Sequence, residues 1–369
     1  METLSKKIDW WRVLFSEKDR QCVSDAMQNE CISMGSVTQQ FESALSNQLK
    51  IPYVVATTSG SMALLMTFIA LGLGPEDEII IPNRTWIAAA HAAMMLKAKI
   101  ILVDVLPDVP VMDVAQLEKK ITAKTKIILP TPLNGHAIPI DKIKAIAKKY
   151  DHCFVVEDAA QAVFSCENGI YMGTTSDIAC FSCSVAKLIP TGQGGFIATH
   201  NAELYQKCVH IRTHGVSNLL DCQYTEFGFN CRITDLQTSL GLSQLRKCPE
   251  KIAALIEIYK LYESGLRHCK KIKLIPSNIE NGEVPLYIEV LCKDREKLMS
   301  FLESKNIQCK SFYPNLNRAA YLNLNTNDVF PHSDVFEKEG LTLPCGPDQP
   351  LENIEITIEN IKLYEQQYS

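Results

Sequence analysis

The chain has 369 residues, of which 46% are hydrophobic and 21% are charged, and its formal net charge is −5. This composition is typical of a soluble globular protein, and the length suits one large α/β domain with a smaller second domain. Lysine and arginine form no basic stripe, which argues against a nucleic-acid-binding protein. The charged segment from Met1 to Glu17 does not resemble a secretory signal peptide, so we expect a cytoplasmic protein.

Two features require a test for a membrane span and for a metal or redox site. Residues 51–75 carry no charge, but the polar residues 57–61 interrupt them, and the apolar run 62–73 is too short to cross a bilayer. The 14 cysteines are scattered, and although Cys180 and Cys183 have Cys-x-x-Cys spacing, no second pair accompanies them. We therefore expect reduced thiols, no metal site and no contact with a membrane.

Apolar segments alternate with helical patterns from residue 53 onward. Strands are predicted over residues 53–56, 78–81, 99–103, 126–129, 153–156 and 178–181, and helices over 61–71, 86–96 and 140–150. Apolar strands that alternate with helices form mostly parallel sheets covered on both faces. Active groups in such α/β folds lie beyond the carboxyl ends of the strands.

The two ends of the chain are predicted to differ from this central part. Residues 1–34 predict mixed helix. After the central part, the patterns predict helices over 203–210, 233–245, 251–266, 295–305 and 352–366, and a strand over 285–291. The long helix that begins at residue 251 would link two domains. We therefore predict a large domain over residues 1–250 and a small C-terminal α+β domain over 251–369.

A lysine and a carboxylate follow two of the predicted strands. Lys187 comes after the strand 178–181 and before the glycine-rich residues 192–195, which predict a tight loop. Asp158 follows the strand 153–156. Such a pair suits pyridoxal phosphate, because a lysine binds the aldehyde and a carboxylate keeps the ring nitrogen protonated. By itself Lys187 would be an ordinary lysine, and its flanking residues favour the catalytic interpretation.

These flanking residues resemble the motifs of the DegT/DnrJ/EryC1/StrS aminotransferases. The matches occur in family order between Gly35 and Pro344, and they comprise Thr58-Ser59-Gly60-Ser61-Met62-Ala63-Leu64, Gly74-Pro75-Glu76-Asp77-Glu78-Ile79-Ile80, Val156-Glu157-Asp158-Ala159-Ala160-Gln161-Ala162, Phe181-Ser182 with Lys187, and Phe229-Asn230-Cys231-Arg232. The resemblance implies a fold-type-I pyridoxal-phosphate-dependent aminotransferase. Several ordered motifs make this a stronger indication than any one of them.

The resemblance also implies where the cofactor would lie. It puts the cofactor phosphate at Gly60 and Ser61, with Ser182 as a further donor, and a strand-to-helix loop suits a phosphate for physical reasons as well. It puts the ring face against Trp86. From the residues alone, a plain helix cap and a core tryptophan remain alternatives.

Further roles follow from the same resemblance. Asp158 would pair with the ring nitrogen, Gln161 would bond near the phenolic oxygen, and Lys187 would hold the aldehyde and act as acid and base. Asn230 would reach the phosphate of the neighbouring subunit, so that a homodimer shares its active sites. A structural loop is the alternative for Asn230.

The resemblance implies L-glutamate as amino donor and a nucleotide-linked keto sugar as acceptor, for surface polysaccharide biosynthesis. Residues 308–317 resemble the perosamine-synthase branch, but Asn317 lies near a position where that branch has histidine, and Ser184 and Val185 differ from its bulky residue and proline. The alternative acceptor is a small phosphorylated ketone such as dihydroxyacetone phosphate. Candidate phosphate partners in either case are Arg232, Lys310 and Arg318.

Two other functions agree less well with the sequence. Related dehydratases have histidine in place of the lysine, so Lys187 argues against dehydration. A non-catalytic regulatory member is disfavoured because Lys187, Asp158, Gln161 and Ser182 occur together.

Overall fold

The computed structural model describes residues 7–216, 223–224, 226–322, 324 and 327–368. Its α-helices are α1 (Glu17–Gln28), α2 (Ser36–Leu49), α3 (Gly60–Ala70), α4 (Ala88–Met95), α5 (Val114–Lys120), α6 (Ile140–Ala147), α7 (Ala202–Arg212), α8 (Asp235–Arg246), α9 (Cys248–Leu266), α10 (Arg295–Ser304), α11 (Pro331–Glu339) and α12 (Leu351–Gln367). Its strands are β1 (Tyr53–Thr57), β2 (Glu78–Pro82), β3 (Lys99–Val103), β4 (Thr125–Ile128), β5 (Phe154–Asp158), β6 (Cys166–Glu167), β7 (Ile170–Tyr171), β8 (Ile178–Ser182), β9 (Gly195–Thr199), β10 (Ile272–Leu274), β11 (Ile288–Cys292), β12 (Lys310–Ser311) and β13 (Gly340–Leu343).

The main sheet has seven strands in the order β1-β9-β8-β5-β4-β2-β3. The neighbours from β8 to β3 are parallel. The strand β9 runs antiparallel to both β1 and β8, so β1 has the direction of the parallel strands. The mostly parallel α/β sheet expected from the sequence is confirmed, with β9 as an additional strand. The carboxyl ends of the parallel strands and of β1 therefore meet at one edge.

The main sheet is buried on both faces, as its apolar strands require. Side chains alternate between the faces of a strand, and Ile80 of β2 accordingly packs in one apolar layer with Phe41 and Ile143. Its neighbours Ile79 and Ile81 pack in the opposite layer, beneath α3 and α4. The predicted strands thus form a sheet with two apolar layers that fix the position of its carboxyl edge.

A second, antiparallel sheet follows the long helix α9 and has the order β10-β11-β13-β12. The helices α9, α10 and α12 pack against it. The N-terminal residues also reach this sheet, since Ile8 forms a bridge with Ile307 and Trp11 one with Cys345. Residues 8–14 are therefore extended rather than helical, and helix begins only at Glu17, where the side chain of Ser16 caps α1. We keep the division into two domains near residue 250 as a proposal.

None of the helices in the described part of the chain is long and apolar enough to cross a membrane. The same residues contain no group of three or more His, Cys, Asp or Glu side chains that could hold a metal ion. The two cysteines with Cys-x-x-Cys spacing are buried, and burial raises the pKa of Cys183 to about 12. This thiol therefore stays protonated and unreactive at neutral pH.

Candidate active site

A cavity of about 470 Å³ opens at the carboxyl edge of the main sheet. Strand ends and loops of the main sheet form one side of it, and the strands β11, β12 and β13 of the second sheet contribute residues to the other. Most of the site residues expected from the sequence line this cavity, namely Gly60, Ser61, Trp86, Asp158, Gln161, Ser182 and Lys187. The fold therefore brings together residues that are up to 127 positions apart, from Gly60 to Lys187.

The start of α3 forms a narrow cradle at one end of the cavity. Ser59, rather than Ser61, caps the helix, because its hydroxyl accepts a hydrogen bond from the Met62 N–H at 3.2 Å. The hydroxyl of Ser61, in the first turn, has no hydrogen-bond partner among the described residues. A hydroxyl beside the N-terminal N–H groups of a helix is a suitable donor set for a phosphate.

Close backbone packing holds this cradle in place. A Cβ on Gly195 would lie 2.6 Å from the backbone N of Gly60 and 2.6 Å from the carbonyl oxygen of Phe181. A Cβ on Gly60 would lie 3.0 Å from the Cβ of Ser182. A side chain at position 195 would therefore clash with backbone atoms, and one at position 60 would press against Ser182, so glycine lets the loop, β8 and β9 approach closely.

Asp158 is a buried carboxylate at the end of β5. It is 5% exposed, and from the described residues its carboxylate accepts only a long hydrogen bond of 3.4 Å, from the Ala160 N–H. Burial raises the pKa of Asp158 to about 6, although the Ala160 N–H and the charge of Lys187 act in the opposite direction. A buried carboxylate with so few donors requires a charged partner in the cavity, and a protonated ring nitrogen would supply one.

Lys187 projects into the cavity from the loop after β8. It is only partly exposed, and its Nζ donates a hydrogen bond of 3.4 Å to the hydroxyl of Tyr287. Burial lowers the pKa of Lys187 to about 8, although the carboxylate of Asp158 raises it. A substantial fraction of the amine is therefore neutral at slightly alkaline pH, as a nucleophile or a base requires.

Tyr287 is a contact of Lys187 that the sequence analysis did not identify. Its hydroxyl donates to the Ala186 carbonyl oxygen at 2.9 Å, and its ring packs against both Trp10 and Trp11. The sequence offers no motif for this role, since Tyr287 lies just before an apolar strand. The tyrosine joins the N-terminal segment and the second sheet to the loop that carries the lysine.

Trp86 and Gln161 form further parts of the cavity wall. Trp86 precedes α4 instead of lying within the helix predicted over 86–96, and its side chain is 53% exposed. It is therefore not a core tryptophan. Gln161 accepts a hydrogen bond of 2.9 Å from the Asn134 N–H, which holds its amide group at the cavity.

Three residues that the sequence suggests for phosphate binding do not line the cavity of their own chain, namely Asn230, Arg232 and Arg318. Asn230 is exposed and accepts a hydrogen bond of 2.9 Å from Nε of Arg232. Arg318 forms ion pairs with Asp334 and Glu337 at the surface. Of the three candidate phosphate partners, Lys310 lines the cavity.

Comparisons with known proteins agree with this geometry. Residues 14–362 match the model of the DegT/DnrJ/EryC1/StrS aminotransferase family. The chain is 29% identical over 359 residues to the GDP-perosamine synthase of Escherichia coli O157:H7, covering 96% of this chain and 98% of that protein. It is 31% identical over 339 residues to the 3-oxo-glucose-6-phosphate:glutamate aminotransferase of Bacillus subtilis strain 168, covering 89% of this chain and 75% of that protein.

The fold also resembles solved structures over nearly its whole length. DesV of S. venezuelae, solved in complex with a ketimine intermediate, superimposes with a TM-score of 0.88 at 25% identity, covering 94% of each chain. Aminotransferases of the DegT family bind pyridoxal phosphate. The sparsely bonded Asp158, the partly neutral Lys187 and the cradle at α3 fit this cofactor. The chain belongs to the DegT/DnrJ/EryC1/StrS family of pyridoxal-phosphate-dependent aminotransferases.

Proposed function

We propose that the protein moves an amino group from L-glutamate to the keto group of a nucleotide-linked keto sugar, in the cytoplasm, for surface polysaccharide biosynthesis. The observation that carries this proposal is the pairing of Lys187 and Asp158 in one cavity of about 470 Å³. This volume lies within the range of about 300–1,000 Å³ that is usual for small-molecule sites.

The cavity residues would divide the binding of pyridoxal phosphate among them. Gly60, Ser61 and Ser182 would hold its phosphate, and Trp86 would cover a face of its ring. Asp158 would keep a proton on the ring nitrogen, because an opposite charge at short range favours the protonated form. Gln161 would donate a hydrogen bond on the side of the phenolic oxygen.

Lys187 has two roles in this proposal. Its Nζ would hold the cofactor through the aldehyde, and the free amine would move a proton at the amino-bearing carbon of the substrate. The bound cofactor supplies an electron sink beside that carbon. The hydrogen bond of 3.4 Å from Lys187 Nζ to the Tyr287 hydroxyl would help to position the amine for this proton transfer.

The nucleotide-linked acceptor is supported by the name of a similar protein and by the shape of the cavity. The similar E. coli protein is a GDP-perosamine synthase. The cavity extends to the second sheet, where Lys310 provides a cation that suits a diphosphate. The chain differs from the perosamine-synthase branch at Ser184, Val185 and Asn317. Ser184 and Val185 lie in the loop of Lys187, and Asn317 lies in the C-terminal part. We expect these differences to affect which acceptor binds.

A second candidate acceptor is a small phosphorylated ketone such as dihydroxyacetone phosphate. The name of the similar B. subtilis protein includes a sugar phosphate without a nucleotide, which supports a phosphate monoester as an alternative. A regulatory protein without catalysis is a weaker candidate, because the chain retains both Lys187 and Asp158.

We also propose a homodimer with shared active sites. Asn230 is exposed and lies outside the cavity of its own chain, and Phe227 nearby exposes 65% of its surface. An exposed polar side chain next to an exposed aromatic ring suits a contact with a second copy. Asn230 would then donate to the phosphate bound by its neighbour.

A panel of acceptors tests the proposed function. Purified protein is incubated with L-glutamate and either GDP- or dTDP-4-keto-6-deoxyhexoses or small phosphoketones, and 2-oxoglutarate release is followed. We expect turnover of at least one nucleotide-linked sugar and none of dihydroxyacetone phosphate. The reverse pattern would overturn the proposed acceptor, and no 2-oxoglutarate with any acceptor would overturn the proposed reaction.

A further inference from the structure

A second buried carboxylate lines the cavity on the side of the second sheet. Glu289 lies on β11, between Ile288 and Val290, whose side chains point into the core of that sheet. The alternation of a strand turns Glu289 to the opposite face, where it lines the cavity and is 7% exposed. Its Oε2 is buried and has no hydrogen-bond partner among the described residues.

A second unsatisfied polar atom lies on the same wall. The hydroxyl of Tyr313 is buried without a hydrogen-bond partner in the described part of the chain, and Tyr313 also lines the cavity. Arg84 fixes this residue, because its guanidinium lies 4.5 Å from the centre of the Tyr313 ring and donates to the Tyr313 carbonyl oxygen at 2.7 Å. The phenol is therefore held in place without a partner for its hydroxyl.

A comparison with Glu283 shows that burial alone does not explain this arrangement. Glu283 is also 7% exposed, but its carboxylate accepts hydrogen bonds from the N–H groups of Ala137 and Asn278, both at 2.7 Å. It also lies 3.3 Å from Nδ1 of His136. The carboxylate of Glu283 is thus a structural group with its partners in place, whereas Glu289 has none for Oε2.

Leaving buried polar atoms unsatisfied destabilises a fold, and such groups are often retained where a ligand completes their bonding. We propose that Glu289 and Tyr313 are specificity-determining residues that form hydrogen bonds with hydroxyl groups of the acceptor. This inference rests on the proposed aminotransferase function and deepens it.

The chemistry of the two groups selects the class of acceptor. A sugar hydroxyl both donates and accepts, so it can satisfy a carboxylate and a phenol at once. A phosphate dianion has no proton to donate and is repelled by an ionised carboxylate. The wall formed by Glu289 and Tyr313 therefore suits the hydroxylated ring of a keto sugar and disfavours a phosphate at that point.

The first test compares the stability of two variants of the holoenzyme without acceptor at pH 8. Burial raises the pKa of Glu289 to about 6, although His136, Arg84 and Asn134 act in the opposite direction. The carboxylate is therefore ionised at pH 8, while its buried Oε2 has no hydrogen-bond partner among the described residues. We expect Glu289→Gln to raise the melting temperature and Glu283→Gln, the matched control, to lower it. If Glu289→Gln lowered the melting temperature as much as Glu283→Gln does, the carboxylate of Glu289 would be a structural group, and the inference would be overturned.

The second test measures the kinetics of Glu289→Gln with the nucleotide-linked keto sugar that wild-type protein converts. We expect kcat/KM for the acceptor to fall by about 10- to 100-fold, the scale of a lost hydrogen bond to a charged group, mainly through KM. This fall in kcat/KM for the acceptor should exceed the fall in kcat/KM for L-glutamate in the other half-reaction. With an acceptor that lacks the ring hydroxyl bound by Glu289, kcat/KM should differ less between variant and wild type than it does with the parent sugar.

The outcomes separate the two proposals. If no keto sugar is converted, the proposed function fails, and the role of Glu289 fails with it. If a keto sugar is converted and Glu289→Gln has the wild-type kcat/KM, the specificity role alone is overturned. Tyr313→Phe provides an independent variant that removes one hydroxyl, and it too should raise the KM for the acceptor.

Discussion

At the scale of single residues, burial sets the chemistry of the cavity. Asp158 and Lys187 are both held among protein atoms, and burial shifts their pKa values in opposite directions, to about 6 and about 8. Both shifts favour the neutral form of each group. Each group is therefore easier to neutralise here than it would be in water.

We expect Asp158→Asn to lower kcat by about 100-fold or more, the scale of a lost catalytic electrostatic contact. An amide cannot keep the ring nitrogen protonated, while its size allows the fold to persist. The measurement is 2-oxoglutarate release at saturating substrate, with circular dichroism as a check on the fold. An unchanged kcat would mean that Asp158 only ends a strand.

The same variant changes how stability depends on pH in the cofactor-free protein. The pKa of Asp158 is raised in the fold, so the folded state binds its proton more tightly than the unfolded state does. The stability that this proton contributes is present below the ordinary aspartate pKa of 3.8 and is lost as the pH rises through the folded-state pKa of about 6. We therefore expect the difference in melting temperature, Asp158→Asn minus wild type, to increase from pH 4 to pH 7. An equal difference at all pH values would contradict the burial argument.

The sequence could predict part of this site and not the rest. Lys187 and Asp158 follow apolar strands within recognisable motifs, so their position and chemistry were accessible. Tyr287 precedes β11 of the second sheet, and no local pattern reports that it meets a lysine 100 residues away. Glu289 lies on β11, and no local pattern reports that it lines the cavity. Such contacts depend on how two sheets pack, which periodicity does not encode.

At the scale of elements, the site depends on the close approach of β1, β8 and β9 at the start of α3. Gly195 pairs with Thr57 on one side and Ser182 on the other. The strand β9 is not predicted from the sequence, because it begins at Gly195 within the glycine-rich residues that predict a loop. Helix starts were also misplaced by a few residues, since caps such as Ser59 and Thr234 are set by local hydrogen bonds.

We expect Gly195→Ala to lower stability by about 1–3 kcal/mol, the usual cost of overpacking a tight site. Its Cβ would lie 2.6 Å from backbone atoms of Gly60 and Phe181, so β9 must move and the cradle must widen. The variant should also bind pyridoxal phosphate more weakly, as measured by fluorescence titration of the cofactor-free protein.

Gly74→Ala is the matched control for this change. Its Cβ would have only one neighbour within 4 Å, the Asp77 side chain at 3.9 Å. We expect wild-type cofactor affinity in this variant. If both glycine variants bound the cofactor equally well, the cradle would not depend on the close approach of β9.

At the scale of the whole molecule, the cavity lies between two sheets from distant parts of the chain. The N-terminal segment, β8 and β11 meet at Tyr287, which couples the lysine loop to the second sheet. The sequence predicted most strands of the main sheet, but only one strand, over residues 285–291, of the second sheet. Their mutual packing, which closes the cavity, follows from long-range contacts alone.

The proposed homodimer can be tested with mixed subunits. Lys187→Ala and Asn230→Ala would each be inactive or impaired alone, but in a mixed dimer one site receives both defects and the other receives neither. We expect co-assembly to restore activity above that of either variant. Sedimentation that shows a fully active monomer would contradict shared sites.

Mixing Lys187→Ala with Asp158→Asn is the control for this experiment. Both residues line the same cavity of one chain, so every site in the mixed dimer carries one defect. No rescue is expected. Rescue in the control but not with Asn230→Ala would place the subunit boundary elsewhere in the site.

The central claim is that Lys187 binds pyridoxal phosphate covalently and gives it up to an amino donor. The direct measurement is borohydride reduction of the purified protein, followed by peptide mass spectrometry, with and without prior incubation with L-glutamate. We expect the cofactor label to lie on Lys187 and to be lost after incubation with L-glutamate. A label on another lysine such as Lys251 or Lys310, or normal turnover by Lys187→Ala, would contradict it.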